Sequence, residues 1–359
     1  MGGFVLLGLG LAVVPGPAVV PAHGSRLAFG PRRPLAPPAS RGALQMNALE
    51  REPRASAERR SFASVPDEVV RERTADVIVA GGGIGGLCTA LVLINQGYDV
   101  KVFEKAQAYK PFGGPIQIAS NALESIKRID KKVHARILEE ATVIGDRTNG
   151  LKDGVSNEWF ATFDLYAPAR KRNQEVSIVI DRPILQGILL ERVGGCVTNG
   201  AEVIGCVQGV GRGVTAILED GSRVTADLLV GSDGIRSKIR TIIDPDNGDA
   251  APIWSGYTCF AAIANCVPHD IESVGYKVFL GSRKYFVSVD VGGGRIQWYA
   301  FLNIPPRSMK LEPGSELQWL KETQFADWNE EVHELIDATP TDATETDARL
   351  LFPLELAAA

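Results

Sequence analysis

The protein has 359 residues, of which 45% are hydrophobic and 23% charged, and a formal net charge of −5. This length suggests about two domains with a substantial core, and the acidic balance gives no reason to expect a nucleic-acid partner. Neither the five cysteines nor the four histidines show the spacing of metal ligands or of a disulfide framework, so we assign no metal.

The first 74 residues are expected to be a targeting presequence and linker. Residues 4–14 form an apolar run that is shorter than a bilayer span and is typical of a signal-peptide core. Residues 25–47 are rich in Arg, Pro, Ala and Ser and lack acidic residues, which is typical of a transit peptide. Together they resemble the bipartite presequence of plastids of secondary origin, with a disordered extension as the alternative. The folded body is expected to begin near Ala75.

A strand that runs into a glycine turn and then a helix, residues 76–87, carries the main motif. Gly81, Gly83 and Gly86 fit the G-x-G-x-x-G dinucleotide fingerprint. In that fingerprint the first glycine permits a tight turn, the second lets a pyrophosphate approach the backbone, and the third lets the helix pack close to the sheet. The free amides and the positive end of the helix would then face the phosphates.

The residues that follow supply the context that this fingerprint requires. An apolar helical face at residues 87–94 is ended by Gly97, and residues 100–103 predict a second strand. Glu104 ends that strand, about twenty residues past the glycines, where a carboxylate can accept a hydrogen bond from a ribose hydroxyl. Its charge argues against a 2′-phosphate at this site. The unit alone does not separate FAD from NAD, and a glycine-rich turn with a surface glutamate is the alternative.

Two further segments are candidates for cofactor contacts. The glycines and proline at residues 112–115 exclude a helix interior, and the backbone there could lie against a flat ring, unless the segment is an ordinary loop. Ser120 or Asn121 is expected to cap the next helix. Another helix opens after Asp181, its expected cap, and Arg182 at its start could hold a phosphate bidentately or remain a solvated charge.

A second strand–turn–helix unit follows a predicted hairpin. Residues 214–218 and 223–226 flank a turn at residues 220–221 and lead into a buried strand, residues 227–230. Asp233 lies in the glycine turn after this strand, where it could hold a ribose or a bound water. A generic strand–turn–helix connection is the alternative interpretation.

The last part of the chain predicts an antiparallel sheet. Its predicted strands are residues 276–280, 285–291 and 295–302. Trp298, Tyr299 and Phe301 crowd the last strand, where they form either a wall for a long apolar substrate or ordinary core. Residues 315–338 predict one or two helices, and residues 345–359 show no convincing final element.

These motifs together resemble one family, the single-component flavoprotein monooxygenases, the group that contains the aromatic hydroxylases. The glycine fingerprint, Glu104, Arg182 and the run of residues 233–240 carry the resemblance. Within the family, later blocks resemble the members that epoxidise carotenoids. Those blocks are residues 114–118, 145–147, 255–259, 271–276 and 297–301.

The resemblance covers roughly residues 75–302 and implies an α/β fold with two domains. Residues 75–250 would form an FAD-binding Rossmann-like domain of the aromatic hydroxylase type, with part of the substrate sheet inserted. Residues 251–359 would form a β-rich substrate domain built on an antiparallel sheet.

The same resemblance implies the cofactors and the reaction. FAD would lie along the glycine turn, with Glu104 on the adenosine ribose, Arg182 toward the phosphates, and Asp233 where both flavin and reductant dock. NADPH would reduce the flavin, and one atom of O2 would be added to a ring double bond of zeaxanthin, giving antheraxanthin and then violaxanthin. Because the flavin carries the chemistry, no catalytic side chain is assigned. An electron-donor reductase and a peripheral contact with the thylakoid membrane are implied partners.

Two features depart from the family pattern. Family members usually carry an arginine between the acid of the second strand and residues 114–118, whereas this segment holds only Lys105 and Lys110 as basic residues. The third family motif, a Gly-Asp-Ala-x-His turn expected beyond Pro353, is absent, so we expect a C-terminally truncated chain. The alternatives are a related hydroxylase of a smaller aromatic or isoprenoid ring and a non-catalytic remnant.

Overall fold

The computed structural model describes residues 73–110, 114–208, 213–244, 253–305, 311–312, 314–341 and 351–358, with the backbone alone for residues 253–255 and 351–358. The predicted presequence therefore lies outside the described residues, apart from its last two positions.

The strands are β1 Ala75–Ala80, β2 Val100–Glu104, β3 Ile116–Ile118, β4 Thr142–Val143, β5 Thr148–Asp153, β6 Trp159–Phe163, β7 Ile178–Ile180, β8 Val197–Asn199, β9 Val203–Gln208, β10 Val214–Leu218, β11 Arg223–Gly231, β12 Ile253–Asn265, β13 Val274–Gly281, β14 Lys284–Gly292, β15 Arg295–Leu302 and β16 Leu351–Ala358. The helices are α1 Ile84–Asn95, α2 Ser120–Ile129, α3 Lys131–Glu140, α4 Tyr166–Lys171, α5 Arg182–Val193, α6 Lys238–Ile243, α7 Glu316–Trp319 and α8 Glu330–Asp337.

Six of the described strands form the first sheet, in the order β8-β2-β1-β11-β10-β9. β1 pairs in parallel with β2 and β11, and β2 pairs in parallel with β8, while β10 and β9 continue the sheet antiparallel. Ala80 at the end of β1 aligns with Phe103 of β2 on one side and with Gly231 of β11 on the other. The carboxyl ends of these parallel strands therefore meet at one edge, which is where ligands bind in open α/β sheets.

Helices cover one face of the first sheet, and α1 packs among them. The apolar side predicted for α1 is buried, with Leu87 at 0% and Leu91 at 1% exposure, and it shares one cluster with α2, α3 and α5. Burying each such leucine stabilises the fold by about 1.5–3 kcal/mol. α1 ends at Asn95, and Gly97 follows with a φ of +88°, as expected for a glycine that terminates a helix.

Seven of the described strands form the second sheet, in the order β16-β12-β15-β14-β13-β5-β6. The predicted meander is confirmed, since β13, β14 and β15 pair antiparallel in sequence. β5 and β6 precede the predicted boundary at residue 250 yet pair into this sheet. That boundary itself stays a prediction, because residues 245–252 lie outside the described part of the chain.

The last strand corrects one expectation from the sequence. Residues 345–359 were expected to lack a final element, but Leu351–Ala358 pairs antiparallel with β12. The segment contains a proline and several alanines rather than a β-branched run, so local pattern gives no strand signal. Its conformation depends on a partner strand that is distant in the sequence.

The two faces of the second sheet differ because side chains alternate along a strand. Phe279, Phe286 and Trp298 lie on one face and are fully buried under α7 and α8. The Trp298 indole N–H donates to the Thr339 hydroxyl oxygen, 2.8 Å away. Tyr299, the next residue, belongs to the opposite face. The aromatic residues of β15 are therefore divided between the core, which contains Trp298, and the opposite face of the sheet, which contains Tyr299.

A small third sheet, β3-β7-β4, connects the two larger ones. Val179 of β7 packs with Val289 and Val291 of β14. Ile178 and Ile180 on either side of it belong to the helical core of the first sheet. Because α5 begins two residues after β7, this small sheet holds the start of α5 between the two large sheets.

One of the two helix caps expected near the site differs from the expectation, and the other lacks its side-chain bond. Ala119 is the N-cap of α2, so the expectation of a cap by Ser120 or Asn121 was wrong. Asp181 is the N-cap residue of α5, as expected, but its side chain makes no capping bond. It pairs instead with Arg295 of β15 at 3.0 Å, a charge-assisted contact that competes with the local cap.

Candidate functional site

The glycine turn between β1 and α1 is shaped by contacts that a larger residue would break. Gly81 has a φ of +106°, and a Cβ there would lie 2.3 Å from the Ser232 carbonyl oxygen. A Cβ on Gly86 would lie 1.9 Å from the Gly81 carbonyl oxygen, so α1 packs directly on the turn. A Cβ on Gly83, in contrast, would meet no atom within 4 Å. Gly81 and Gly86 therefore hold the turn together, whereas Gly83 borders open space at the start of α1.

Glu104 is anchored to the glycine turn through its carboxylate. One carboxylate oxygen accepts from the Gly82 N–H at 2.7 Å, and the other accepts from the Ala106 N–H at 2.9 Å. The Tyr109 phenol donates to the Gly82 carbonyl oxygen at 3.1 Å. Burial, followed by the nearby Glu104 and Cys196, raises the pKa of Tyr109 to about 12, so this phenol keeps its proton at neutral pH. The Glu104 oxygens retain lone pairs for further donors.

Asp233 lies on the other side of the glycine turn, where it caps α6. Its carboxylate accepts from the Ser237 hydroxyl at 2.5 Å and from the Lys238 N–H at 2.7 Å. Its own backbone nitrogen lies 3.0 Å from the point where a Cβ on Gly81 would stand. Glu104 and Asp233 thus flank one turn, and the structure brings both together with the predicted glycines.

Arg182 is exposed at the first position of α5, and it forms no hydrogen bond or ion pair with the residues that the structure describes. Gln186, one turn later on the same helix face, donates to the Gly82 carbonyl oxygen at 3.4 Å. The start of α5 therefore borders the glycine turn. Sequence reasoning missed Gln186 and Tyr109. The i, i+4 spacing from Arg182 could have pointed to Gln186, whereas no pattern in the sequence singles out Tyr109.

The face of the second sheet opposite α7 and α8 carries an aromatic wall, which consists of Tyr257, Cys259, Tyr285, Tyr299 and Phe301. The rings of Tyr285 and Phe301 stack with 4.3 Å between centroids, and Tyr257 meets Tyr285 edge-on at 5.4 Å. Burial raises the pKa of the Cys259 thiol to about 12. Burial, with a smaller contribution from this thiol, raises the pKa of Tyr285 and Tyr299. The wall is therefore uncharged at neutral pH, which suits a long apolar ligand.

β15 joins this wall to the residues around the glycine turn. A Cβ on Gly114 would lie 2.7 Å from Nε2 of Gln297. Two residues earlier on the same strand, Arg295 pairs with Asp181 at the start of α5. The strand then continues into the wall at Tyr299. Sequence reasoning placed Gln297 in a recognised block without a role, although its alternation with Tyr299 could have assigned both residues to one face.

These features fit a dinucleotide that carries a diphosphate and a ribose. Space at Gly83 and the free amides at the start of α1 suit phosphates, and Arg182 adds a cation beside them. Glu104 offers carboxylate lone pairs to ribose hydroxyls. Within the described residues, no group of three or more side chains could hold a metal ion. None of the helices that the structure describes has the length and apolarity to cross a membrane.

Both the sequence and the fold are similar to those of known proteins. Residues 74–254 match the family model described as FAD binding domain. The chain is 44% identical over 281 residues to "Zeaxanthin epoxidase, chloroplastic" of Solanum lycopersicum, a match that covers 77% of this chain and 41% of the relative. It is also 44% identical over 298 residues to the protein of the same name from Spinacia oleracea, which covers 81% of this chain and 43% of that protein.

A solved structure shares the fold. The chain resembles a variant of HpxO from Klebsiella pneumoniae complexed with FAD, with a TM-score of 0.64 and 25% identity over 74% of this chain and 67% of that chain. The curated relatives are much longer, since the chain spans only 41% and 43% of the two named above. The part of the chain that matches the family model contains the glycine turn, Glu104, Arg182 and Asp233.

Proposed function

The chain belongs to the FAD binding domain family, and on this premise we propose that it acts as an FAD-dependent monooxygenase that epoxidises zeaxanthin. The observation that carries the proposal is that β15 joins the uncharged aromatic wall to the residues that fit a dinucleotide. Such a wall suits a long apolar alkene. The similarity to proteins named zeaxanthin epoxidase supports this particular substrate.

The proposed reaction consumes one ring double bond, one O2 and one NADPH in each turnover. NADPH and a proton supply two electrons, one oxygen atom closes the epoxide, and the other leaves as water. Two turnovers convert zeaxanthin to antheraxanthin and then to violaxanthin. Bound FAD would supply the redox and oxygen-activating chemistry, so the side chains of this protein bind, orient and exclude water.

Each predicted site residue has a task in this arrangement. Gly83 leaves room for the pyrophosphate, and Arg182 balances its charge. Glu104 accepts from ribose hydroxyls while its contact with Gly82 keeps it at the turn. Asp233 holds the second turn in place by capping α6. None of these residues is a proton donor or a nucleophile in the reaction.

We also propose a plastid location and two partners. The chloroplastic relatives and the transit-like residues 25–47 support the plastid, with a bipartite presequence of secondary origin. A reductase would pass electrons to the protein. A peripheral contact with the thylakoid is supported by Phe160 and Tyr166, which are 60% and 46% exposed and precede the exposed cations at residues 170–172. Aromatic rings and cations together favour a membrane interface.

Epoxide formation by the 359-residue protein tests the proposal. The protein is reconstituted with FAD and supplied with zeaxanthin in lipid micelles, NADPH, a reductase and O2, and the carotenoids are separated by chromatography. We expect antheraxanthin and then violaxanthin, with product formation dependent on FAD and NADPH. A preference for a soluble phenol would favour a hydroxylase, and failure to bind FAD would favour a non-catalytic remnant. Either result overturns the proposal.

A further inference from the structure

Gln297 of β15 is nearly buried, and its side-chain amide has no hydrogen-bond partner in the described part of the chain but is not fully shut off from solvent. Its side chain is 3% exposed, and neither its oxygen nor its nitrogen bonds to a described residue. Its neighbours across the sheet are apolar, since it is aligned with Ile263 of β12 and with Val289 of β14. An amide that has no protein partner and still reaches the surface of this strand has a donor and an acceptor available to a ligand.

The position of this amide indicates which ligand. Nε2 of Gln297 abuts Gly114, where a Cβ would lie 2.7 Å away. Arg295, two residues earlier, reaches Asp181 at the start of α5, and Gln186 of α5 reaches the glycine turn. Through α5 and β15, these contacts link the turn that fits a pyrophosphate to the strand that carries the aromatic wall. A dinucleotide held at the turn could therefore extend toward Gln297 and the wall.

We propose that Gln297 hydrogen-bonds the polar edge of the flavin ring of bound FAD and thereby positions the ring against the aromatic wall. The edge of a flavin ring carries carbonyl oxygens and an N–H, and a carboxamide offers both a donor and an acceptor to match them. Tyr299 and Phe301 follow Gln297 on β15, with Tyr299 on the same face two residues on, so a ring placed here meets the wall. The inference rests on the FAD part of the proposed function and not on the identity of the substrate.

FAD titration of the 359-residue protein carrying Gln297→Leu tests this inference. Loss of one neutral hydrogen bond should raise the FAD dissociation constant about three- to tenfold, and it should shift the visible absorption bands of the bound flavin. Gln297→Glu should lower the flavin midpoint potential, because it places a negative charge beside a ring that gains electrons on reduction. Gln208→Leu, at an exposed position at the end of β9, is the matched control and should change none of these quantities.

A second variant covers the case in which Gln297→Leu does not fold, as judged by circular dichroism. Gly114→Ala places a methyl group 2.7 Å from Nε2, displaces the amide, and should produce the same spectral shift. Unchanged spectrum, FAD affinity and potential in the Gln297 variants would overturn the inference. So would weaker zeaxanthin binding with unaltered flavin properties, since the amide would then serve the substrate.

No readout in this test uses turnover, so the two proposals fail separately. A protein that binds FAD, shows the expected shifts and forms no epoxide would refute the epoxidase and support the assignment of Gln297. A protein that binds no FAD would overturn both.

Discussion

Gly81 and Gly86 are packing residues of the glycine turn, whereas Gly83 borders the space in which a ligand would lie. The fingerprint alone treats all three as one motif, but the distances to neighbouring atoms separate two packing glycines from one that borders open space. Contacts within the protein explain the first and the last. The middle glycine has no such contact; it is the N-cap of α1, a position that favours glycine, and it borders the space in which phosphates would lie.

Alanine substitutions should separate these two kinds of glycine. Gly86→Ala should lower the free energy of unfolding by about 3 kcal/mol or more, because its Cβ would meet a backbone oxygen at 1.9 Å. Gly83 has ordinary extended angles, φ −69° and ψ 177°, so Gly83→Ala should change stability by less than about 1 kcal/mol yet weaken FAD binding at least about tenfold. Urea unfolding and FAD titration measure the two effects. Equal losses of stability would contradict the division.

At the scale of elements, Asp130 joins two helices of the first domain. It is 7% exposed, and its carboxylate caps α3 by accepting from the Lys132 N–H at 2.7 Å. It also accepts from the Arg192 guanidinium of α5. Burial alone would raise the pKa of Asp130, but the hydrogen bonds from Arg192 and two backbone amides outweigh it and lower the pKa. One carboxylate thus ties α3 to the helix that starts at Arg182.

The stability that Asp130 contributes should depend on pH. Because its folded pKa is depressed, this contribution is present above the unfolded pKa of about 3.9 and is lost as the pH falls through the lower folded value. Asp130→Asn keeps an acceptor for the cap but loses the charge, so it should cost about 1–2 kcal/mol at pH 7. The difference from the unmodified protein should shrink by pH 3 in urea unfolding. A difference that stays constant with pH, or that is matched by the exposed control Asp146→Asn, would refute this role.

β15 carries core and wall on alternate residues, and this arrangement gives a second prediction at this scale. Trp298→Ala should cost about 3–5 kcal/mol of unfolding free energy, because the ring is fully buried and its N–H bonds to Thr339. Tyr299→Ala should lower the free energy of unfolding clearly less, and it should instead weaken zeaxanthin binding. Quenching of tryptophan fluorescence on titration with zeaxanthin measures that binding. If Tyr299→Ala left zeaxanthin affinity intact, the wall would not be the substrate surface.

At the scale of the whole molecule, the residues that fit the cofactor and those that fit the substrate belong to different sheets. The glycine turn lies at the edge of the first sheet, and the aromatic wall lies on the second. The small third sheet packs against both, and the pair Asp181–Arg295 links the start of α5 to β15. Secure placement of one large sheet against the other is therefore a condition for the proposed chemistry.

The surface of β6 and α4 gives a prediction about the molecule as a whole. Changing Phe160 and Tyr166 together to serine should lower binding to vesicles of anionic lipid about tenfold, because exposed rings then no longer bury apolar area. Binding should also fall with salt, since each cation near the surface contributes about 1 kcal/mol. Ile243→Ser is the control, because Ile243 lies outside this surface and is 75% exposed. If Ile243→Ser lowered vesicle binding as much as the double variant in a sedimentation assay, the surface of β6 and α4 would not be a specific membrane contact.

Local pattern by itself determined the parts of this protein that depend on neighbours in the sequence. The turn at Gly81, Gly83 and Gly86, the strand that ends at Glu104, and the meander all follow from glycine geometry and side-chain periodicity. The cap expected at Ser120 or Asn121 was wrong, because Ala119 is the N-cap of α2. Asp181 is the N-cap of α5 as expected, but its carboxylate pairs with Arg295 of a distant strand instead of bonding to the helix amides.

Only the tertiary structure decided which distant residues meet. The pairing of Leu351–Ala358 with β12, the contact of Gly114 with Gln297, and the position of Gln186 beside the turn join residues far apart in the chain. No period or spacing encodes such contacts, since they arise when whole elements pack. For that reason the sequence could indicate a dinucleotide fingerprint and an aromatic strand, but packing alone determined that one strand connects them.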